Sequence, residues 1–344
     1  MKYNFLQNKN ILITGGTGSL GRELVRNILK YNPKVIRIFD VDETEQFDFQ
    51  QELKEHEGIV RYLLGDVRDT ERLNRATEGI DIIFHTAALK HVMACEYNPF
   101  EAVKTNVIGM QNVIEAAINN NVGKIIFTSS DKAVNPSNTM GTTKLLAEKL
   151  MTSANYYKGA RDCVFSSVRF GNVMGSRGSV IPLFRDQIKA GGPITITDPT
   201  MTRFMMSMSQ AVELVFKSVE MSQGGEVFIF KMPTVNISDL AEVLITELAP
   251  RYGHRPEDIK VEIIGTKPGE KMYEELMTED EARRSLERDD MFIILPQIED
   301  ELTKIDVSAY DAVPIKSKDY VSKDLIPIKK DEIKTILMKE RIIY

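Results

Sequence analysis

The stretch Asn10-Ile11-Leu12-Ile13-Thr14-Gly15-Gly16-Thr17-Gly18-Ser19-Leu20-Gly21 decides the fold. Its first five residues form a short aliphatic run. Glycines then recur as G-x-x-G-x-x-G at Gly15, Gly18 and Gly21, and helical spacing follows over Leu20–Tyr31. Glycines at such a strand-to-helix junction permit a tight turn and let backbone amides approach a pyrophosphate at the helix N-terminus. Thr17, Ser19 and Leu20 complete that loop, and Gly21 permits close helix–strand packing. The position at the head of a β/α series is the context that makes such a loop a dinucleotide site.

Further along, Val35–Phe39, Val60–Leu64, Ile80–His85, Lys124–Thr128 and Phe165–Arg169 are short, β-branched and uncharged in the middle. Strands buried on both faces read this way. Ala102–Asn119 and Met140–Tyr157 carry helical spacing between them. The alternation predicts an α/β fold with a Rossmann-like, doubly wound parallel sheet over residues 1–171. From residue 172 the pattern changes to Gly- and Pro-rich loops, a helix over Gln210–Glu220 and a strand over Glu226–Phe230 that returns to the first sheet. Ser238–Leu248 reads as a helix capped by Ser238, Lys260–Ile264 as a strand and Asp280–Glu287 as a helix. Residues 172–300 are therefore expected to form a smaller α/β substrate domain, and 301–344 a charged C-terminal tail.

Two residues classes refine the cofactor. Phe39-Asp40-Val41-Asp42 closes the second strand, where an acidic side chain binds ribose hydroxyls and repels a 2′-phosphate, so Asp40 favours NAD over NADP. Asp66, followed by Val67 after the third strand, is placed to reach the adenine amino group. Ala87 and Ala88, after the fourth strand, are placed to pass beneath the cofactor, with Lys90 and His91 facing the substrate.

The chain's 344 residues suit two joined domains, and its net charge of −6 gives no bias toward nucleic acid or anionic membranes. Its apolar runs fall far short of the ~20 residues a bilayer span needs. Cys95 and Cys163 match no metal spacing, the four histidines do not cluster, and a reducing cytoplasmic setting is expected.

Taken together, Thr14–Gly21, Ala87–Val92, Ser129-Ser130-Asp131-Lys132-Ala133, Met140–Lys144, Val168–Val173, Asp198–Phe204 and Pro268-Gly269-Glu270-Lys271 resemble the extended short-chain dehydrogenase/reductase superfamily. Within it they resemble the UDP-N-acetylglucosamine 4,6-dehydratases of bacterial and archaeal surface-glycan pathways. Three features depart from the pattern. Ser130 stands where Thr is common, Met140 stands where many members carry a catalytic Tyr, and Met-bearing relatives often have N-terminal membrane helices. The resemblance is to the soluble, often C5-inverting branch.

The resemblance implies C4 oxidation by NAD, elimination of water across C5–C6 and return of the hydride to C6. It makes Lys132 the base at C5 and Asp131 the acid at C6, so Lys132 must act neutral, with Lys144 as the neighbouring cation, and Asp131 must act protonated. Lys144 is expected at the nicotinamide ribose. Ser130 is expected to relay the C4 hydroxyl proton toward Asp131 in the absence of a phenol at Met140. For the UDP-sugar, Asn172, Arg203, Lys267 and Glu270 are the candidate contacts, Arg203 as a bidentate diphosphate clamp. Homo-oligomers, dimeric or hexameric, are expected. An epimerase and a catalytically inactive nucleotide-sugar-binding protein remain alternatives.

Overall fold

The computed structural model describes residues 2–266, 269–298, 304–316 and 319–343. The first half alternates strand and helix: β1 (Asn10–Thr14), α1 (Ser19–Leu29), β2 (Val35–Asp40), α2 (Glu43–Glu52), β3 (Val60–Leu64), α3 (Thr70–Thr77) and β4 (Ile82–His85). Helices α4 (Val92–Tyr97), α5 (Pro99–Val103) and α6 (Gly109–Asn119) follow, then β5 (Lys124–Ser130), α7 (Thr139–Tyr157) and β6 (Val164–Phe170). The expected helix over Ala102–Asn119 is interrupted by a π-helical turn, Lys104–Ile108. That turn buries Asn106, whose side chain grips both backbone groups of Leu89 and donates to Thr143 Oγ1. Such turns recur at functional sites, and this one ties the loop after β4 to α7.

The second half contains β7 (Asn172–Val173), α8 (Val180–Lys189), β8 (Ile194–Ile196), β9 (Thr202–Met206), α9 (Met208–Met221), β10 (Val227–Phe230), β11 (Thr234–Asn236), α10 (Ile237–Leu248) and β12 (Val261–Ile263). It ends with β13 (Glu275–Met277), α11 (Glu279–Ala282), β14 (Ser285–Glu287), β15 (Met291–Ile294), β16 (Val313–Pro314), β17 (Tyr320–Val321) and α12 (Lys330–Lys339). The main sheet runs β16-β14-β15-β10-β6-β5-β4-β1-β2-β3. From β3 to β10 neighbouring strands pair in parallel, and β15, β14 and β16 extend the edge antiparallel. The order reverses between β1 and β4, the switch point where doubly wound sheets open a ligand crevice.

Apolar side chains cover both faces. Leu24, Val25 and Ile28 of α1 join Val215 and Phe216 of α9 on one face; Leu73, Val113, Ile114, Ala147 and Met151 from α3, α6 and α7 cover the other. A third core joins α8, α10 and α12 through Phe184, Leu244 and Leu337.

Three expectations need correction. Asp280–Glu287 is a single helical turn followed by strand β14, because pairing with β15 and β16 decides its state. The cap of α10 is Asn236, which accepts from Ser238 N and Asp239 N. The charged C-terminal stretch is no separate tail: β16 extends the main sheet, β17 pairs with β13 and α12 packs into the third core. Among the described residues, no helix is long and apolar enough to cross a membrane.

Candidate active site

The glycine loop is fixed by contacts that only glycine allows. Gly15 has φ +67°, and a Cβ there would lie 2.7 Å from Ala87 N; a Cβ on Gly21 would lie 2.4 Å from Gly15 O. The loop, Ala87 and the first turn of α1 therefore form a close-fitted cradle, which suits a pyrophosphate. Asp40, at the end of β2, accepts from Thr17 N at 3.0 Å and Thr17 Oγ1 at 2.7 Å through one oxygen. Its other oxygen accepts from Asp42 N at 3.3 Å and, among the described residues, from no other donor, so it retains capacity to accept a ribose hydroxyl.

Asp66 is engaged by Arg68 at 2.6 Å, and Arg68 also meets Glu101. Burial works against the Asp66 charge, but the hydrogen bonds from Arg68 prevail and lower its pKa. Val67 is buried beneath Gly109, where an added Cβ would sit 2.7 Å from Val67 Cγ2. Ala88 is half-buried beside Ala87. Lys90 Nζ donates to Arg177 O at 2.6 Å, Arg177 N donates to Ser19 Oγ at 3.1 Å, and the Arg177 guanidinium meets Glu45 of α2 at 2.5 Å. His91 lies against Gly178, whose added Cβ would be 2.6 Å from the ring. The loop after β7 thus straps across the glycine loop, and Leu20 lies partly buried beneath it in the first turn of α1.

At its far end β5 delivers Ser130, then turns through Asp131–Ala133. Asp131 is 3% exposed. Ser130 Oγ donates to Asp131 Oδ1 at 2.5 Å, and Lys132 Nζ lies 3.1 Å from both Asp131 oxygens. Helix α7 reaches this turn because Asn138 caps it and Gly141 presses on it: a Cβ on Gly141 would be 2.1 Å from Lys132 O. Met140 is buried among Cys95, Ala102 and Val92. One turn on, the Lys144 amine donates to Thr128 O at 2.9 Å and sits 4.6 Å from the Phe127 ring centroid. Burial pulls the Lys144 pKa down to about 8, with Glu148 opposing.

The protonation states differ from those the elimination requires. Burial penalises both charges of the Asp131–Lys132 pair, yet their attraction wins: Asp131 is lowered and Lys132 raised. The cation that works against the Lys132 charge is Arg203, where Lys144 was expected.

Sequence reasoning missed Glu274. It is buried, lies 3.6 Å from Lys132 Nζ and 3.4 Å from Arg203 Nε, and accepts from Asn172 Nδ2 at 3.1 Å and Phe204 N at 3.1 Å. Burial, then the nearby Asp131 carboxyl, push its pKa up to about 8. Its run, Met272-Tyr273-Glu274-Glu275, carries no periodic signal; only the approach of β13 to the Asp131–Ala133 turn marks it. Asn172 is consequently held by Glu274. Arg203 is anchored by Thr202 O and Lys271 O, each at 2.9 Å, and meets Glu270 at 3.7 Å. Glu270 also accepts from Thr197 Oγ1 at 3.3 Å. Lys267 lies outside the described residues.

Behind this constellation, Arg169 of β6 is 1% exposed and bridges Glu148 of α7 to Glu281 of α11. Met140, Lys144 and Glu148 recur every fourth residue, so they share one face of α7. The buried arginine therefore fastens the helix bearing Lys144 to the segment bearing Glu274.

Known proteins resemble this chain over most of its length. A 54% identical relative over 334 residues, 97% of this chain and 96% of its own, is an uncharacterised Methanocaldococcus jannaschii protein named as a membrane protein. A Campylobacter jejuni protein named UDP-N-acetylglucosamine 4,6-dehydratase (inverting) is 43% identical over 292 residues, 84% of each chain. A Rickettsia felis protein named UDP-glucose 4-epimerase is also 43% identical, over 81% of this chain and 80% of its own. Among solved structures, Pen from Bacillus thuringiensis superposes with a TM-score of 0.93 at 48% identity, covering 99% of this chain and 100% of that one. The profile described as polysaccharide biosynthesis protein matches residues 11–296, and the chain belongs to that family.

Proposed function

We propose that this chain is a nucleotide-sugar 4,6-dehydratase that converts UDP-N-acetylglucosamine to a UDP-4-keto-6-deoxy-hexosamine, with inversion at C5. The observation that carries the reading is the pair at the end of β5, the buried Asp131 carboxyl and the half-buried Lys132 amine, 3.1 Å apart. The Campylobacter relative's name supports the substrate and the C5 outcome.

NAD is the cofactor this reading requires, and the glycine cradle with Asp40 fits it. Held there, it supplies reversible hydride storage between sugar C4 and C6. Lys144, on α7, holds the nicotinamide ribose; its amine already binds a carbonyl and has been stripped of most of its water. Arg203 and Asn172 approach the diphosphate sugar from the second half of the chain. Ser130 passes the C4 hydroxyl proton to Asp131, Lys132 removes the C5 proton, and Asp131 protonates the departing C6 oxygen. Reprotonation of C5 by water on the face opposite Lys132 gives inversion.

The epimerase name borne by the Rickettsia relative favours a rival reading. A plain 4-epimerase has no use for an acid–base pair at C5–C6, and Met140 cannot supply the phenol that such enzymes use at C4. Incubation of the NAD-loaded protein with UDP-N-acetylglucosamine, followed by mass spectrometry and NMR, decides between them. Loss of one water with an inverted C5 is expected. A product of unchanged mass identifies an epimerase, and unaltered substrate identifies a binding protein. Asp131→Asn should abolish water loss, whereas Met140→Leu should cost less than about tenfold, since it exchanges one apolar filler for another. Near-normal turnover in Asp131→Asn refutes the assignment.

A further inference from the structure

We propose that Glu274 is a third proton-holding group of this site: it takes up the proton Lys132 must shed before Lys132 can act as a base. The inference rests on the dehydratase reading above and supplies what that reading lacks.

The geometry places two buried carboxyls around one amine. Lys132 Nζ stands 3.1 Å from Asp131 and 3.6 Å from Glu274. Both carboxyls are buried, and both face the same amine. Other groups face Glu274 from each neighbouring element. Arg203 of β9 approaches at 3.4 Å and carries Glu270 behind it at 3.7 Å; Asn172 and Phe204 N donate to it. Along its own segment, Lys271 pairs with Glu275 at 3.8 Å and reaches Val134 O. Ser322 fixes its backbone, accepting from Glu274 N through Oγ and donating to Glu274 O through its own N.

The need for a third group follows from counting protons. At elimination Lys132 must be neutral and Asp131 protonated. The structure instead starts from an ammonium beside a carboxylate. C4 oxidation breaks the O4–H bond and delivers one more proton through Ser130, while the C4 hydride goes to the nicotinamide. Two groups then hold two protons, Lys132 remains an ammonium and no base exists. With Glu274 ionised at the start, Lys132 passes one proton to Glu274, and Asp131 keeps the proton from O4. Neutral Lys132 now takes the C5 proton, the C6–O bond breaks and Asp131 gives its proton to the leaving oxygen as water. The hydride returns to C6, water protonates C5 on the face opposite Lys132, and Glu274 gives its proton back to water while Lys132 keeps the one it took. Atoms and charges balance, and Glu274 finishes ionised.

Two measurements on the NAD-loaded protein test this. In the first, single-turnover water release from UDP-N-acetylglucosamine is followed across pH. The wild-type rate should rise about tenfold per pH unit until Glu274 is ionised in the complex. In Glu274→Gln, whose amide holds no transferable proton, the rate should fall at least ~100-fold and lose that limb, with the dissociation constant for the sugar nucleotide changed less than about threefold. Glu274→Asp should restore part of the rate and the limb. Wild-type rate and an unchanged limb in Glu274→Gln overturn the inference, as they would if Glu274 served packing alone. In the second, infrared difference spectra of the substrate-free protein should show a protonated-carboxyl stretch that disappears on raising the pH and is missing from Glu274→Gln. A wild-type protein without that titrating band overturns the inference even if the variant fails to fold. A wild type that shows the band but releases no water refutes the dehydratase reading and the catalytic use of the proton, and leaves Glu274 as a titrating carboxyl of the site.

Discussion

Replacing Arg169 with methionine should destabilise the protein by about 3–5 kcal/mol, the usual cost of removing one partner from a buried ion pair. The guanidinium makes four charged hydrogen bonds of 2.7–2.9 Å, two to Glu148 and two to Glu281, and a further bond of 3.0 Å to Leu276 O. Methionine keeps much of the volume but leaves two buried carboxylates without a cation. In a chain of this size each kcal/mol moves Tm by roughly 2 °C, so a fall of about 6–10 °C is expected at pH 7. The pH dependence provides an internal check. Burial works against the Glu281 charge, but Arg169 outweighs it and holds the pKa down to about 2, below the ordinary 4.5. That difference corresponds to about 3 kcal/mol, within the loss assigned to the whole cluster. A carboxyl with a lowered folded pKa stabilises above its unfolded pKa and loses that contribution as pH falls through the folded one. The gap between wild type and Arg169→Met should therefore narrow from pH 5 toward pH 2. Calorimetric scans at one heating rate and several pH values measure it. A Tm within about 2 °C of wild type at pH 7, or a gap independent of pH, refutes the reasoning.

Two other substitutions probe how the catalytic turn is held. Gly141→Ala would place a Cβ 2.1 Å from Lys132 O, forcing α7 and the turn apart; water release should fall on the order of 100-fold, with NAD affinity nearly unchanged by calorimetric titration. Ser322→Ala removes a fully buried hydroxyl that accepts from Glu274 N and bonds Thr202. It should cost about 1–3 kcal/mol in urea unfolding and lower turnover as well; a stability loss with wild-type turnover would show that the C-terminal segment does not support the site.

What the sequence revealed of the fold was local in origin. The run Asn10–Thr14 and its glycines have their conformations dictated within a few residues, by backbone sterics and by the burial of both strand faces. Glu226–Phe230 was legible as a strand for the same reason: β10 is buried throughout. Asp280–Glu287 was misread because its charges and spacing suit a helix, while strand β14 draws its hydrogen bonds from β15 and β16. The C-terminal stretch was misread in the same way. Its apolar residues are sparse and widely separated, yet Tyr320 and Leu337 are each buried against partners far away in the chain.

The site divides along the same line. That Asp131, Lys132, Met140 and Lys144 lie close together was legible, because α7 begins only a few residues after the Asp131–Ala133 turn. Their charge states were not, because these depend on Glu274, just before β13, and on Arg203 of β9. This asymmetry bears on how a methionine can occupy the usual place of a phenol. Met140 faces Cys95, Ala102 and Val92, an apolar wall with no group to accept a proton. Lys144, one turn away, binds a backbone carbonyl and meets no carboxylate at ion-pair distance among the described residues. The charges paired around Asp131 are instead Lys132, Glu274 and Arg203, the last two carried by the second half of the chain. The loss of the phenol is therefore tolerable only to the extent that the carboxyl cluster accepts the C4 hydroxyl proton, and the position that merits mutation first is Glu274 rather than Met140.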